Sequence, residues 1–406
     1  MKVDVDVVVV GGGPVGLYLA AALLQQGISV RVLERRQSRD LHSRAIGIHP
    51  PALDALDGIG VASALVREGV PIRTGMAVSR GKTLGVMAFD GVSDTFPFVL
   101  ALPQFRTEQL LETRLRALDS GALVRGVEAT GVNDDGDHVT IEVQRPPGTP
   151  AGATSFSASM VVAADGARSR WRGLLGVPVH RKTYPDHYLM GDFADSGRHG
   201  DMAVLFLERD GIVESFPLPG GIRRWVVRLG RPAEDARAVD LAGIVAQRTG
   251  ILPDAGTNSM LSAFSVRSTL ALRTAVGRVV LLGDAAHEIS PIGGQGMNLG
   301  WLDARALVPL LLESLAGRRT DTEFTRFEAD RRRAAQLARR QSEINMLLGR
   351  PLPSPLVRLR NAAIGAAAAT PAVNAWVARR FTMQEERLHS GNSCRLTGSS
   401  SRNCPG

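Results

Sequence analysis

Hydrophobic and polar positions alternate with three different periods along the chain. Residues 5–10 are valine except for Asp6, a run expected of a parallel strand buried on both faces. A glycine turn over 11–16 follows, then an apolar helical stretch over 17–26 that Gly27 stops. Residues 28–33 repeat the buried-strand pattern and end at Glu34, so the chain opens with a strand–turn–helix–strand unit. Between about 184 and 229 the pattern changes. Short alternating runs at 202–208, 212–217 and 222–229 are split by Asp210-Gly211 and Gly220-Gly221, which predicts an antiparallel meander, with 83–89 as an outlying strand of the same sheet. Buried strands are expected at 158–163 and 278–282, and 145–155 reads as a surface loop. From 297 to about 384 the period is helical, broken at Pro351, Pro353 and Pro355, and 361–378 reads as a packed Ala-rich helix pair. Residues 387–406 read as a disordered tail, and no internal repeat is visible. Strands mixed with helices in this order place the chain in the α/β class.

Composition narrows the partners. At 44% hydrophobic and 22% charged, the 406 residues suit a soluble globular protein rather than a disordered one. Cys394 and Cys404 sit together at the end of the sequence and cannot staple a core, which favours a reducing, cytoplasmic setting. Asp4 and Asp6 interrupt the apolar N-terminal run, so no leader is expected there, and no run reaches the ~18 apolar residues of a membrane span. The net charge is +8, but all but three of the 48 basic residues are arginines spread along the chain. That dispersal argues against a nucleic-acid surface and leaves a general preference for anionic cofactors.

Three motifs carry chemistry. The first is Gly11-Gly12-Gly13-Pro14-Val15-Gly16. In a G-x-G-x-x-G turn the first glycine permits the sharp bend and the second lets a pyrophosphate approach the backbone. The third lets the helix pack on the strand, and the helix N-terminus offers N–H groups to the phosphates. Glu34, 18 residues past Gly16, stands where a carboxylate accepts ribose hydroxyls, which favours FAD or NAD over NADP. The second motif, Asp165-Gly166 with Ser169 and Arg172, taken alone also fits a common turn. The third is Gly283-Asp284-Ala285-Ala286-His287 followed by Pro291-Ile292-Gly293-Gly294-Gln295-Gly296-Met297-Asn298. A strand would deliver Asp284 to a sugar-like hydroxyl, and the glycines would lay bare backbone against a flat ligand. A helix from about Met297 would then point its N-terminus at negative charge on that ligand.

In this order the three motifs resemble the FAD-dependent aromatic hydroxylases, the class A flavoprotein monooxygenases with the para-hydroxybenzoate hydroxylase fold. The resemblance spans roughly 4–385, with Trp171 standing where the family usually has an aliphatic residue. It implies a Rossmann-like FAD-binding domain (1–72, 98–178 and 270–298) with an inserted antiparallel-sheet substrate domain (73–97 and 179–269). C-terminal helices over 299–386 complete the fold. Gly11, Gly13, Pro14, Val15, Gly16, Glu34 and Arg35 would hold the ADP half of FAD. Arg44 would lie near the flavin or pyrophosphate, Gln104 and Arg106 at the ribityl–phosphate chain, and Val127 against the adenine through its backbone. Asp165 would serve both FAD and the pyridine nucleotide. Gly283 and Asp284 would meet the ribityl, and Pro291, Gly293, Gly294, Gln295, Gly296, Met297 and Asn298 the isoalloxazine. His49 and His287 read as turn residues rather than bases.

The implied chemistry is reduction of FAD by NADH or NADPH and reaction with O2 to a C4a-hydroperoxide. Oxygen is then transferred to an aromatic or polyketide-like small molecule, by hydroxylation or epoxidation, in natural-product tailoring. No metal and no side-chain nucleophile are required, and no general base is assigned. Tyr188, Phe206, Phe216 and Trp225, on the meander, are the candidate substrate contacts. A flavin oxidase or reductase of the same fold, or an FAD-binding protein without catalysis, remain as alternatives. A halogenase is disfavoured because Trp171, Trp225, Trp301 and Trp376 are isolated. A monomer or homodimer is expected.

Overall fold

A computed structural model describes residues 3–40, 45–145, 153–318 and 320–384. Arg44 and the tail 387–406 lie outside the described residues, as does most of the 145–155 loop.

The valine run forms β1 (Val5–Val10) at the centre of a mostly parallel sheet. The glycine turn leads into α1 (Pro14–Gln25), which returns as β2 (Val30–Glu34) alongside β1. After the helix α2 (Gln104–Leu118), β3 (Ser155–Ala163) pairs with the other edge of β1. A much later strand, Val279–Leu281, pairs in parallel with β3. An antiparallel hairpin, 128–144, leans on β3. The registers align the carboxyl ends: Val10 lies opposite both Leu33 and Ala163, and Ala163 opposite Leu281. Four strands from distant parts of the chain therefore end at one level, the edge where open α/β sheets bind ligands.

The meander belongs to a second, eight-stranded sheet. Its long strand β4 (Val179–Ala194) pairs with β6 (Ile222–Leu229), which pairs with β5 (Val213–Leu218). On the other side β4 pairs with β7 (Met260–Ala271). The hairpin Thr74–Ser79 and Lys82–Ala88 closes the far edge through Ala203–Phe206, so the outlying strand expected near 83–89 does join this sheet. A helix, Ala238–Thr249, covers one face of the sheet with Leu241 and Val245.

The helical region resolves into α3 (Gln295–Leu315), α4 (Asp321–Leu348), α5 (Ser354–Ala369) and α6 (Pro371–Phe381). The break between α4 and α5 falls at Pro351 and Pro353, where missing N–H groups cannot continue a helix. α3 packs on α1, with Trp301, Ala304, Leu307 and Leu311 fully buried against Leu17, Leu19 and Leu23 in the main core. No helix among the described residues is long and apolar enough to cross a membrane.

Candidate cofactor and substrate site

The glycines of the first turn have separate jobs. Gly11 has φ +109°, and a Cβ there would lie 2.3 Å from the Ala164 carbonyl oxygen. A Cβ on Gly16 would lie 2.1 Å from the Gly11 carbonyl oxygen. Both are demanded by the protein's own packing. Gly13 is the opposite case: its Cβ would meet nothing within 4 Å, and its place on the cavity wall leaves the space to a ligand. Pro14 opens α1, whose first turn holds no acidic residue to occupy its N–H groups. Glu34 is 4% exposed. Its Oε2 accepts from the Gly12 N–H at 2.7 Å, and its Oε1 accepts from the backbone and Nε of Arg36 at 2.9 Å. Burial alone would raise its pKa, but the Arg36 guanidinium and these N–H groups hold it below the usual carboxylate range. The carboxylate keeps lone pairs for further donors.

The second and third turns are joined by one buried arginine. Arg172 Nη1 donates to the Ala285 carbonyl at 3.0 Å and approaches that of Asp284 at 3.5 Å, while Nη2 donates to the Ala167 carbonyl at 3.0 Å. Asp165 Oδ2 accepts from the Arg170 and Trp171 N–H groups, leaving Oδ1 buried with no partner. The third turn also reaches back to the first. A Cβ on Gly300 would lie 2.6 Å from the Val15 side chain, and one on Gly283 3.4 Å from it. The Trp301 indole donates to the Pro14 carbonyl at 3.0 Å. Asn298, fully buried, accepts from the His49 N–H at 2.8 Å and donates to the carbonyls of Gly47 and Gly294. The turn at Gly293 (φ +94°) and Gly294 (φ +65°) is thereby held at the start of α3.

Asp284 lies on the cavity wall, with no hydrogen-bond donor to its carboxyl among the described residues; burial pushes it up to about 6. His49 stays neutral, pushed down to about 4 by burial, with Nδ1 unpartnered. His287 is turned away from the cavity and pairs with Asp303, whose other oxygen lies 3.4 Å from Arg331. Burial works against its charged form, yet the Asp303 carboxylate holds its pKa above the ordinary value.

All these walls enclose one cavity of about 1410 Å³. That exceeds the ~300–1,000 Å³ usual for one ligand and leaves room for a cofactor and a substrate together. Of the sequence candidates, Gly11, Gly13, Pro14, Val15, Glu34, Arg35, Gln104, Val127, Asp165 and Asp284 line it, with Pro291, Gly293, Gly294, Gly296 and Met297. Gly16, Gly283, Gln295 and Asn298 stand behind the wall and shape it. Arg106 does not reach it; its guanidinium is engaged by Glu68 at 2.7 Å and by Gln109.

Of the four aromatic candidates Phe216 lines the cavity. Phe206 and Trp225 stack on each other on the opposite face, under Leu241 and Val245. In a strand alternate side chains take opposite faces, so Arg224 and Val226 meet the cavity and Trp225 cannot. Tyr188 lies flat against Phe264, ring centroids 5.5 Å apart, and Phe264 takes the wall position. Arg36, Glu108, Glu214 and Arg224 also line the cavity without a signal in the sequence, whereas His49 and Arg172 are named there, with neither the wall position of His49 nor the clamp made by Arg172.

The lining fits FAD: open space at Gly13, a helix N-terminus with no acidic residue in its first turn, the Glu34 and Asp284 carboxylates on the cavity wall, and an unpartnered buried oxygen on Asp165. Comparison with known proteins agrees. Residues 4–342 match the family model described as FAD binding domain. The chain is 33% identical over 365 residues to the 12-dehydrotetracycline 5-monooxygenase/anhydrotetracycline 6-monooxygenase of Streptomyces rimosus, covering 86% of this chain and 70% of that protein. It is 32% identical over 372 residues to the rifampicin monooxygenase of Streptomyces venezuelae, covering 87% and 74%. Among solved structures, p-nitrophenol 4-monooxygenase from Pseudomonas putida superposes with a TM-score of 0.82 at 27% identity, covering 96% of this chain and 99% of that one.

Proposed function

From the premise that the chain belongs to the FAD-binding family of flavin-dependent monooxygenases, we propose that it uses NADH or NADPH to put one oxygen atom of O2 on an aromatic or polyketide-like small molecule. The relatives named for tetracycline and rifampicin oxidation point to a multi-ring natural product, and the size of the cavity accommodates one. FAD, when bound, supplies what no side chain has: acceptance of hydride, activation of O2 and oxygen transfer. The protein's part is placement. The N-terminus of α1 and the open face of Gly13 take the pyrophosphate, and Glu34 with the Val127 backbone takes the adenosine. Asp165 and Asp284 accept from hydroxyls of the linking chain. The backbone from Pro291 to Met297 lies against the ring, with the N-terminus of α3 favouring negative charge there. The single observation that carries this reading is the common level of four strand ends, which brings the first and third turns to one cavity.

The test is turnover of the FAD-loaded protein with a panel of phenols and anthracycline- or tetracycline-type aromatics under isotopically labelled O2. The reading expects substrate-stimulated NAD(P)H oxidation with one labelled oxygen in the product. Hydrogen peroxide release with no labelled product across the panel would instead favour an oxidase.

A further inference from the structure

The cavity's far half is walled by the second sheet, and strand alternation selects its lining. β5 contributes Glu214 and Phe216, β6 Arg224 and Val226, β4 Met190, and β7 Met260 and Ser262. In register, Glu214 lies opposite Leu205 on one neighbour and Val226 on the other, both apolar and both on the wall. Of the other polar groups of this wall, Arg267 of β7 donates through Nε to Glu288 at 2.6 Å. Arg224 donates through Nε and Nη2 to both oxygens of Asp192 at 2.6 and 2.8 Å, so its charge is neutralised. Ser262 also has a partner within the protein. Glu214 differs. It is 8% exposed, it faces the cavity, and no donor among the described residues reaches its carboxyl. Burial alone pushes that carboxyl up to about 7.

A buried carboxyl without a partner is costly, and the cost is recovered when a ligand brings a donor. We propose that Glu214 determines substrate specificity by accepting a hydrogen bond from a phenol or enol hydroxyl, and that it selects against aromatic carboxylates. This rests on the oxygenase reading above. Where Glu214 is ionised, above about pH 7, a ligand carboxylate would set a second negative charge against it, with Arg224 already held by Asp192, and a ligand without a donor would leave Glu214 unpaired.

The experiment titrates 2-naphthol and 2-naphthoate into the FAD-loaded protein at about pH 8.5, where Glu214 is ionised, reading the flavin spectrum, for wild type, Glu214→Gln and Glu214→Leu. Glutamine keeps an acceptor oxygen and loses the charge; leucine loses both. Wild type is expected to favour naphthol by at least about tenfold. Glu214→Gln is expected to keep naphthol within a few-fold and to gain about tenfold for naphthoate, and Glu214→Leu to lose about tenfold for naphthol. The same naphthol-to-naphthoate ratio in all three FAD-loaded proteins would overturn the role of Glu214 and leave the oxygenase reading standing. Wild type that takes up no FAD would overturn both.

Discussion

At the residue scale, Gly13 and Gly16 of the first turn separate folding from binding. Gly16 is fixed by the Gly11 carbonyl and Gly13 by nothing in the protein. Gly13 also has an ordinary backbone, φ −80°, so a side chain there is not strained. Gly13→Val, at the N-cap of α1, is therefore expected to cost no more than about 1 kcal/mol in urea unfolding while abolishing FAD uptake. Gly16→Ala is expected to cost at least about 2 kcal/mol of stability before any ligand is considered. If Gly13→Val binds FAD normally, the turn has another purpose. Glu214 and Asp284 make a second test, because their raised pKa values have a sign. Both hold protons in the folded chain, up to about 7 and about 6, at pH values where the unfolded chain, near 4.5 and 3.8, has released them. The folded state therefore loses stability as pH rises across that window. Glu214→Gln removes one such group. It is expected to stabilise FAD-free protein by about 2 kcal/mol near about pH 8 and by almost nothing near about pH 4. Thermal melts at the two pH values check this, and equal shifts at both would mean that Glu214 is not titrating in the fold.

At the element scale, legibility in the sequence follows how local each requirement is. The βαβ opening could be read because one backbone turn, one helix start and one strand-end carboxylate sit within about thirty residues. The third motif could be read for the same reason. The substrate face could not. Nearly every residue of β6 is buried, Ile222 alone being partly exposed, because the cavity covers one face and the Ala238–Thr249 helix the other. Alternation of apolar and polar residues is the only sequence signal for strand facing, and two covered faces erase it. By pattern alone Trp225 and Phe206 look like cavity residues; the helix Ala238–Thr249 gives them their place on the other face. The charge of Arg106 is engaged by Glu68, a partner 38 residues away that no local pattern reveals. Arg172 shows what local motifs omit, the group that holds two of them together. Arg172→Met leaves the carbonyls of Ala167 and Ala285 unpaired in a buried place. It is expected to cost about 2–3 kcal/mol in urea unfolding and about tenfold in FAD affinity. Loss of stability with unchanged FAD affinity would show that the two turns do not depend on this clamp.

At the scale of the whole molecule, the parallel sheet gathers chemistry from across the chain, and the second sheet supplies a roof over the same cavity. Trp301 on Pro14, Gly300 against Val15 and Arg172 between the second and third turns give that gathering a rigid frame. The frame preorganises the half of the cavity beside the glycine turns, and β5 and β6 wall the other half. The most direct measurement is a crystal structure of the protein soaked with FAD. The account expects one FAD molecule per chain, its adenosine beside Glu34 and Val127 and its ring system against the backbone from Pro291 to Met297. A ring system bound elsewhere, or two separate ligands at the two glycine turns, would contradict it.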